Sequence, residues 1–255
     1  MTVVHAGRRS FDVDLLVLDK DGTLIDFDRL WAGRAEAAVA AVLAVLARNA
    51  DAELRAELHH TLGHDPDSGR TLADSPLATA PLATLATAVA VTLYQRRVVG
   101  WHLAETLARE HFLAALQAPV DPAHIVPIGN LAPLLRKLAA GGLRLAIATS
   151  DSRAGTEAIL EKLGVAELFP ALVCGDDPLP AKPHPEVLRY LGRSLGVRVE
   201  RMLVVGDSAH DLATGRSAGA AGCIGVLSGT ADRAGLAPLA DVVLESVHEL
   251  RVEEA

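Results

Sequence analysis

Asp19 and Asp21 stand two positions apart in LLVLDKDGTL, where an apolar run ends in two carboxylates with Lys20 between them. Three more polar stations follow in order: Thr149-Ser150-Asp151 after LRLAIA, Lys182 within AKPHP, and Asp207 and Asp211 within GDSAHD. Any one of them alone reads as a turn or a helix cap, where Asp and Ser are favoured. Their joint occurrence, each at a strand end, does not. Side chains alternate along a strand, so Asp19 and Asp21 point broadly the same way and Lys20 the other. Two carboxylates in one cleft repel unless a proton or a cation sits between them, and Asp207 and Asp211 enlarge the excess. A hard divalent cation with oxygen ligands, Mg2+ foremost, resolves it. With that charge balanced, a carboxylate such as Asp19 can attack phosphorus and form an aspartyl-phosphate. Asp21 would protonate the leaving alcohol and then deprotonate the attacking water. Thr149 offers a hydroxyl and strand-end amides to phosphoryl oxygens, and Lys182 opposes the charge that develops in transfer.

Such residues must be carried to one edge by the chain. Apolar runs recur at 13–18, 143–148, 171–174, 202–205, 223–227 and 241–244. Near-continuous apolar strands imply burial on both faces, as in a parallel sheet covered by helices. Helical patterns lie between them at 131–140, 153–163, 185–195 and 210–218, and Gly141, Gly164 and Gly196 follow three of these. Strand and helix alternating from about residue 125 onward predict a doubly wound, mostly parallel α/β sheet of Rossmann-like form. The interval 28–125 is different, with alanine-, leucine- and arginine-rich helical stretches and no convincing strand. It reads as an inserted helical domain, leaving 1–27 and 126–255 as the α/β core. Within it, GHDPDSGRTLADSPLATAP at 63–81 reads as a long loop.

Composition narrows the partners. The 255 residues are 50% hydrophobic with a net charge of −8, enough to bury a substantial core. No run of Lys and Arg points to nucleic acid or an anionic membrane, and Arg96-Arg97 is too short to count. Cys174 and Cys223 have no CxxC spacing and read as reduced core residues, which fits a cytoplasmic location. The N-terminal MTVVHAGRRSFDVD lacks the apolar stretch of a signal peptide, and other apolar stretches are too short or too interrupted to span a bilayer.

DKDGTL, the strand-end Thr of LAIATSD, KPHP and GDSAHDL resemble the four ordered motifs of the haloacid-dehalogenase-like hydrolase superfamily. More narrowly, GVAELFPALVCGDD and RSAGAAGCIGV resemble its phosphoglycolate-phosphatase-like branch. The resemblance implies a Mg2+-dependent phosphatase acting on a small phosphorylated metabolite, phosphoglycolate or a sugar phosphate in type. It implies Asp19 as nucleophile, Asp21 as acid/base, Thr149 and Lys182 as phosphate ligands, and Asp207 as a metal ligand. Asp19, the Asp21 main-chain carbonyl and, through water, Asp211 would complete the metal site, while Ser150 and Asp151 would supply amides or line the pocket. The superfamily's helical cap corresponds to the insert at 28–125, at about 100 residues somewhat longer than usual, so residue-level transfer stops at its edge.

Rival readings differ in what they require. A dehalogenase of the superfamily lacks the second aspartate, so Asp21 argues against it. A phosphonate-cleaving relative needs a cap lysine, and the four lysines (20, 137, 162 and 182) all lie outside 28–125. A phosphosugar mutase uses the same two aspartates, and a non-catalytic phosphate-binding domain would be expected to have lost one of the core residues. In the insert, Trp31 reads as core packing. Arg34 reads either as a solvated helix residue or as an anion clamp, and Arg70, within DSGRT, as a solvated loop arginine ahead of a clamp for a substrate carboxylate. His184 and His210 read as spacers. His59, His60, His64, His102 and His111 lack acidic partners at ligand spacing. Oligomeric state stays open.

Overall fold

A computed structural model describes residues 2–48 and 51–252. Eleven strands are found among them: β1 (Thr2–Ala6), β2 (Arg9–Val13), β3 (Leu15–Leu18), β4 (His64–Asp65), β5 (Arg70–Thr71), β6 (Arg144–Ala148), β7 (Ala171–Val173), β8 (Met202–Gly206), β9 (Gly222–Val226), β10 (Val242–Leu244) and β11 (Leu250–Val252). Six of them form one sheet in the order β10-β9-β8-β3-β6-β7, every neighbouring pair parallel. The doubly wound parallel sheet read from the sequence is therefore present.

Its strands are apolar without interruption because each face is covered. Leu16, Leu18, Leu145, Ile147, Leu203 and Val205 pack on one face, under helices Leu131–Ala140 and Arg153–Lys162. Leu15, Val17, Ala146, Ala148, Met202 and Val204 pack on the other, against helices Glu186–Leu195 and Ala209–Ala218. Each strand thus feeds both cores at a period of two. Wholly buried β3 runs between β6 and β8, with Leu16 opposite Leu145 on one side and Leu203 on the other. From β3 the chain builds outward through β6 and β7, then crosses back to β8 and builds the other way. That reversal puts the topological switch point beside β3, where ligands bind in open parallel sheets, beyond the carboxyl ends of the strands.

Two elements depart from the sequence reading. The N-terminal residues are not merely a lead-in to β3: β1 pairs antiparallel with both β2 and β11 in a separate three-stranded sheet. Val4, Phe11, Val13 and Val252 of that sheet complete the core over β3. The interval 63–81 is also more ordered than a loop, holding the β4-β5 ladder and a one-turn helix at Pro76–Thr79 capped by Ser75.

By the packing of its Cα atoms the chain divides into Met1–Phe27 with Ile125–Ala255, and Asp28–His124. Among its described residues the second unit is helical apart from the β4-β5 ladder and connecting turns. Helix Ala52–Leu62 packs on Leu82–Gln95, which packs on Trp101–Leu107. The last of these runs on through a π-helical stretch at Ala108–Leu113. Leu58, Leu62, Leu85, Val89, Leu93 and Phe112 are buried in it. Among the described residues no helix is long and apolar enough to cross a membrane.

Candidate active site

Four sheet strands end beside one another at the switch point, and their last residues and following loops carry the chemistry. Asp19 follows β3 directly, its amide donating to the Val205 carbonyl of β8 at 2.9 Å. Thr149 follows β6 in the same way, donating to the Val173 carbonyl of β7 at 2.9 Å. Asp207 follows β8, and Asp211 lies one helical turn on. The sheet hydrogen bonds therefore continue into the site and fix where its side chains start.

Asp19, Asp207 and Asp211 are buried, and each offers a carboxylate oxygen within 4.8 Å of the others. Lys182 reaches into this group from the loop after β7. Its Nζ stands 2.7 Å from Asp19 Oδ1, 2.5 Å from Asp211 Oδ1 and 3.1 Å from the Ala148 carbonyl. Asp211 is held from its other oxygen by the Ser208 amide at 3.0 Å and hydroxyl at 2.6 Å. This is a capping box at the start of helix Ala209–Ala218, so the helix end and Lys182 are tied through one side chain. Asp207 accepts from the Thr230 amide at 2.9 Å and from Thr23 Oγ1 at 3.3 Å. The backbone approaches it closely on two sides: a Cβ at Gly22 or Gly229 would overlap the Asp207 carboxylate, and Gly22 has φ +86. Only glycine serves at such a position.

Three buried carboxylates around the Lys182 ammonium leave net negative charge in a buried site. Burial, then Asp211, pushes the Asp207 carboxyl up to about 7, against the Thr230 amide and Lys182. Burial likewise drives Asp19 well above the ordinary carboxyl range, with Lys182 opposing and the neighbouring aspartates adding to the shift. For Lys182, burial works to discharge the ammonium, but Asp19 and Asp211 outweigh it and hold the lysine above its usual value. Such a site calls for a further positive charge or a proton, and its oxygen donors are those a hard divalent cation takes.

Asp21 turns aside from the three-carboxylate group. Its Oδ1 lies 2.5 Å from Nζ of Lys20, which also stands 3.1 Å from Asp151 Oδ2. Lys20 is completely buried; burial would lower its pKa, but Asp21 and Asp151 outweigh that and raise it. Thr149 is buried, and its hydroxyl accepts from the Asp151 amide at 3.2 Å. Ser150 is half-buried in the same turn.

Of the two arginines singled out in the sequence, Arg34 lies on helix Phe27–Val45 with its guanidinium 4.6 Å from the ring centroid of Trp31. Its Nε and Nη1 are buried with no hydrogen-bond partner among the described residues, while Trp31 itself is core. Arg70 is exposed on β5. Both belong to the helical unit, apart from the unit that holds the aspartates. His184 is exposed and His210 half-buried. Cys174 and Cys223 are free and buried, their thiols pushed by burial to about 12 and about 11.

Sequence reasoning placed Thr23 only in the turn after β3 and gave no site role to Ser208, Thr23 or Thr230. Ser208 was findable, because Ser followed three residues later by Asp before a helical run is a capping-box signal. Nothing in SGT at 228–230 announces that its backbone cradles Asp207.

Fold and site together are a parallel α/β sheet that gathers buried aspartates around a lysine at its switch point. The chain belongs to the haloacid dehalogenase-like hydrolases, whose family description matches residues 13–219. Among curated proteins it is similar to the phosphoglycolate phosphatase of Rhodospirillum rubrum, 44% identical over 101 residues, 40% of this chain and 41% of that one. It is also similar to that of Escherichia coli K12, 34% identical over 90 residues, 35% and 36% of the two chains. These matches span about two fifths of each relative's own length. Among solved structures, a HAD phosphatase from Thermococcus onnurineus superposes with TM-score 0.63 at 20% identity, over 92% of this chain and 95% of that one. A hydrolase from Pseudomonas syringae gives 0.61 at 22%, over 93% and 95%. At such identities these structures speak for the fold.

Proposed function

We propose that the chain is a Mg2+-dependent phosphatase that hydrolyses a small-molecule phosphate monoester, phosphoglycolate or a sugar phosphate in type, through an aspartyl-phosphate. The observation that carries this reading is the buried Asp19-Asp207-Asp211 group closed by Lys182 at the switch point. Its excess negative charge and all-oxygen donor set fit Mg2+. Asp19, Asp207 and the Asp21 carbonyl would hold the ion, with Asp211 supporting it. When bound, the ion supplies charge neutralisation on the phosphoryl oxygens.

The chain's own residues do the rest. An Asp19 carboxylate oxygen attacks phosphorus in line with the ester oxygen. As the P–O bond to the alcohol breaks, Asp21 delivers a proton to the departing oxygen. A water then attacks the aspartyl-phosphate, losing its proton to Asp21, and inorganic phosphate leaves with Asp19 restored. Lys182, Thr149 and Ser150 bind the phosphoryl oxygens and oppose the charge that builds on them. The helical unit holds the family's cap position in the chain, and we assign it the choice of substrate, with Arg34 and Arg70 as candidates for an anionic group on the ester. The curated relatives' names support phosphoglycolate as the first ester to test, and a cytoplasmic location accords with the two reduced thiols.

Mg2+-dependent release of phosphate from 4-nitrophenyl phosphate and a panel of metabolite phosphates tests the reading. Turnover is expected from the wild type and none from Asp19→Asn. A wild type inert to every ester in Mg2+ overturns the phosphatase. Transfer between positions of a phosphosugar in place of release assigns the mutase instead.

A further inference from the structure

The DKDGTL motif carries a buried charge that the catalytic scheme leaves without a task. Lys20 is wholly buried, and burying an ammonium is tolerable only when it is paired. Its two partners come from different strand ends. Asp21 belongs to the loop after β3, and Asp151, its side chain fully buried, belongs to the turn after β6. Asp151 is itself fastened. Its Oδ1 accepts the Ser152 amide at 2.7 Å, its amide donates to Thr149 Oγ1 at 3.2 Å, and its carbonyl accepts the Gly175 amide at 2.8 Å. Ser152 caps helix Arg153–Lys162. A rigid helix end thus holds Asp151, Asp151 holds Lys20, and Lys20 holds one oxygen of Asp21.

We infer that Lys20 is a positioning residue: anchored by Asp151, it fixes the rotation of the Asp21 carboxyl for proton transfer to the leaving oxygen. The inference rests on the phosphatase reading of the same site. With one restraint fewer, a carboxyl samples more χ orientations, and a smaller share of them meets the ester oxygen. A carboxyl held at 2.5 Å by a fixed ammonium keeps one plane. In the step concerned, the P–O bond to the alcohol breaks, its electron pair stays on oxygen, and Asp21 supplies the proton. Lys20 exchanges no proton with substrate.

The leaving group separates positioning from mere support of the fold. Nitrophenolate departs without protonation, whereas an alkoxide needs the proton as the bond breaks. The value of kcat/KM covers only events up to that departure. In Lys20→Met, kcat/KM for an alkyl phosphate such as ethyl phosphate is expected to fall on the order of 10²-fold, and that for 4-nitrophenyl phosphate by less than about 3-fold. Phenyl phosphate should lie between. Asp151→Asn, close to isosteric, keeps Lys20 and frees its anchor; the same selective loss is expected, smaller in size. It carries the test should Lys20→Met not fold. Equal losses on all three esters, or none, in the folded variant overturn the inference and leave the phosphatase standing. A wild type that hydrolyses neither these three nor any ester of the metabolite panel in Mg2+ overturns both.

Discussion

Lys182→Met removes the cation that pairs with Asp19 and Asp211 in the three-carboxylate group, and its cost can be worked from the geometry. The ammonium lies 2.7 Å from Asp19 and 2.5 Å from Asp211, with its side chain 8% exposed and theirs 9% and 3%. Methionine fills a similar volume, so packing is nearly conserved and the change is one of charge. Breaking a buried pair by removing one partner costs about 3–5 kcal/mol, because the other charge stays buried. For a chain of this size each kcal/mol lowers Tm by about 2–4 °C, so the metal-free variant should melt roughly 6–20 °C below wild type at pH 8. Protonation of the stranded carboxylates offsets part of that, so the gap should narrow at pH 5.5. Mg2+ does the same by supplying charge, and should raise the variant's Tm by more degrees than the wild type's. Differential scanning calorimetry in EDTA and in Mg2+, at both pH values, reads all of this. A metal-free variant within 2 °C of wild type, or a gap that widens on acidification, would show that the lysine does not balance those aspartates.

The same charges set a pH dependence in the wild type. Asp207 is raised to about 7 in the folded chain against about 4 when unfolded. Between those values the folded state binds more protons, so without metal this group's contribution makes the protein less stable as pH rises from 5 to 7.5. The apparent Mg2+ affinity, measured by titration calorimetry, should fall as pH drops below 7, since proton and metal compete; a pH-independent affinity would exclude Asp207 as a ligand. Gly22→Ala forces a left-handed backbone on a Cβ that would overlap Asp207. It should cost at least about 1–2 kcal/mol from the backbone alone and weaken Mg2+ binding. Unchanged Tm and Mg2+ affinity would contradict the close approach.

The six parallel strands were legible because burial on both faces leaves no polar residue inside them, as in LLVL and MLVV, and the polar stations stood out by contrast at the strand ends. The antiparallel sheet was not. TVVHA and RSFDV are partly exposed and mix polar with apolar residues, and their third strand, Leu250–Val252, lies at the far end of the chain. The β4-β5 ladder, two residues a side, is too short to impose any periodicity. At the site, sequence parity set Asp21 with Asp19, and Lys20 apart from both, whereas Asp21 and Lys20 meet as an ion pair where the strand turns. Asp151 comes from another strand, and only the register of β3 against β6 brings the two loops together. Thr230 was hidden because its amide, and no sequence pattern, engages Asp207.

The central position of β3 also has a consequence for how the chain is made. Leu15–Leu18 precedes both of its neighbours in the chain, which begin at Arg144 and Met202. At about 5–20 residues per second, the most apolar strand of the sheet waits on the order of ten seconds for its first partner, while the helical unit is synthesised in between. That unit is built largely from contacts between successive helices and can fold during the wait. A nascent chain stalled before residue 144 should therefore carry a folded helical insertion beside an unpaired Leu15–Leu18, a species for chaperones to hold.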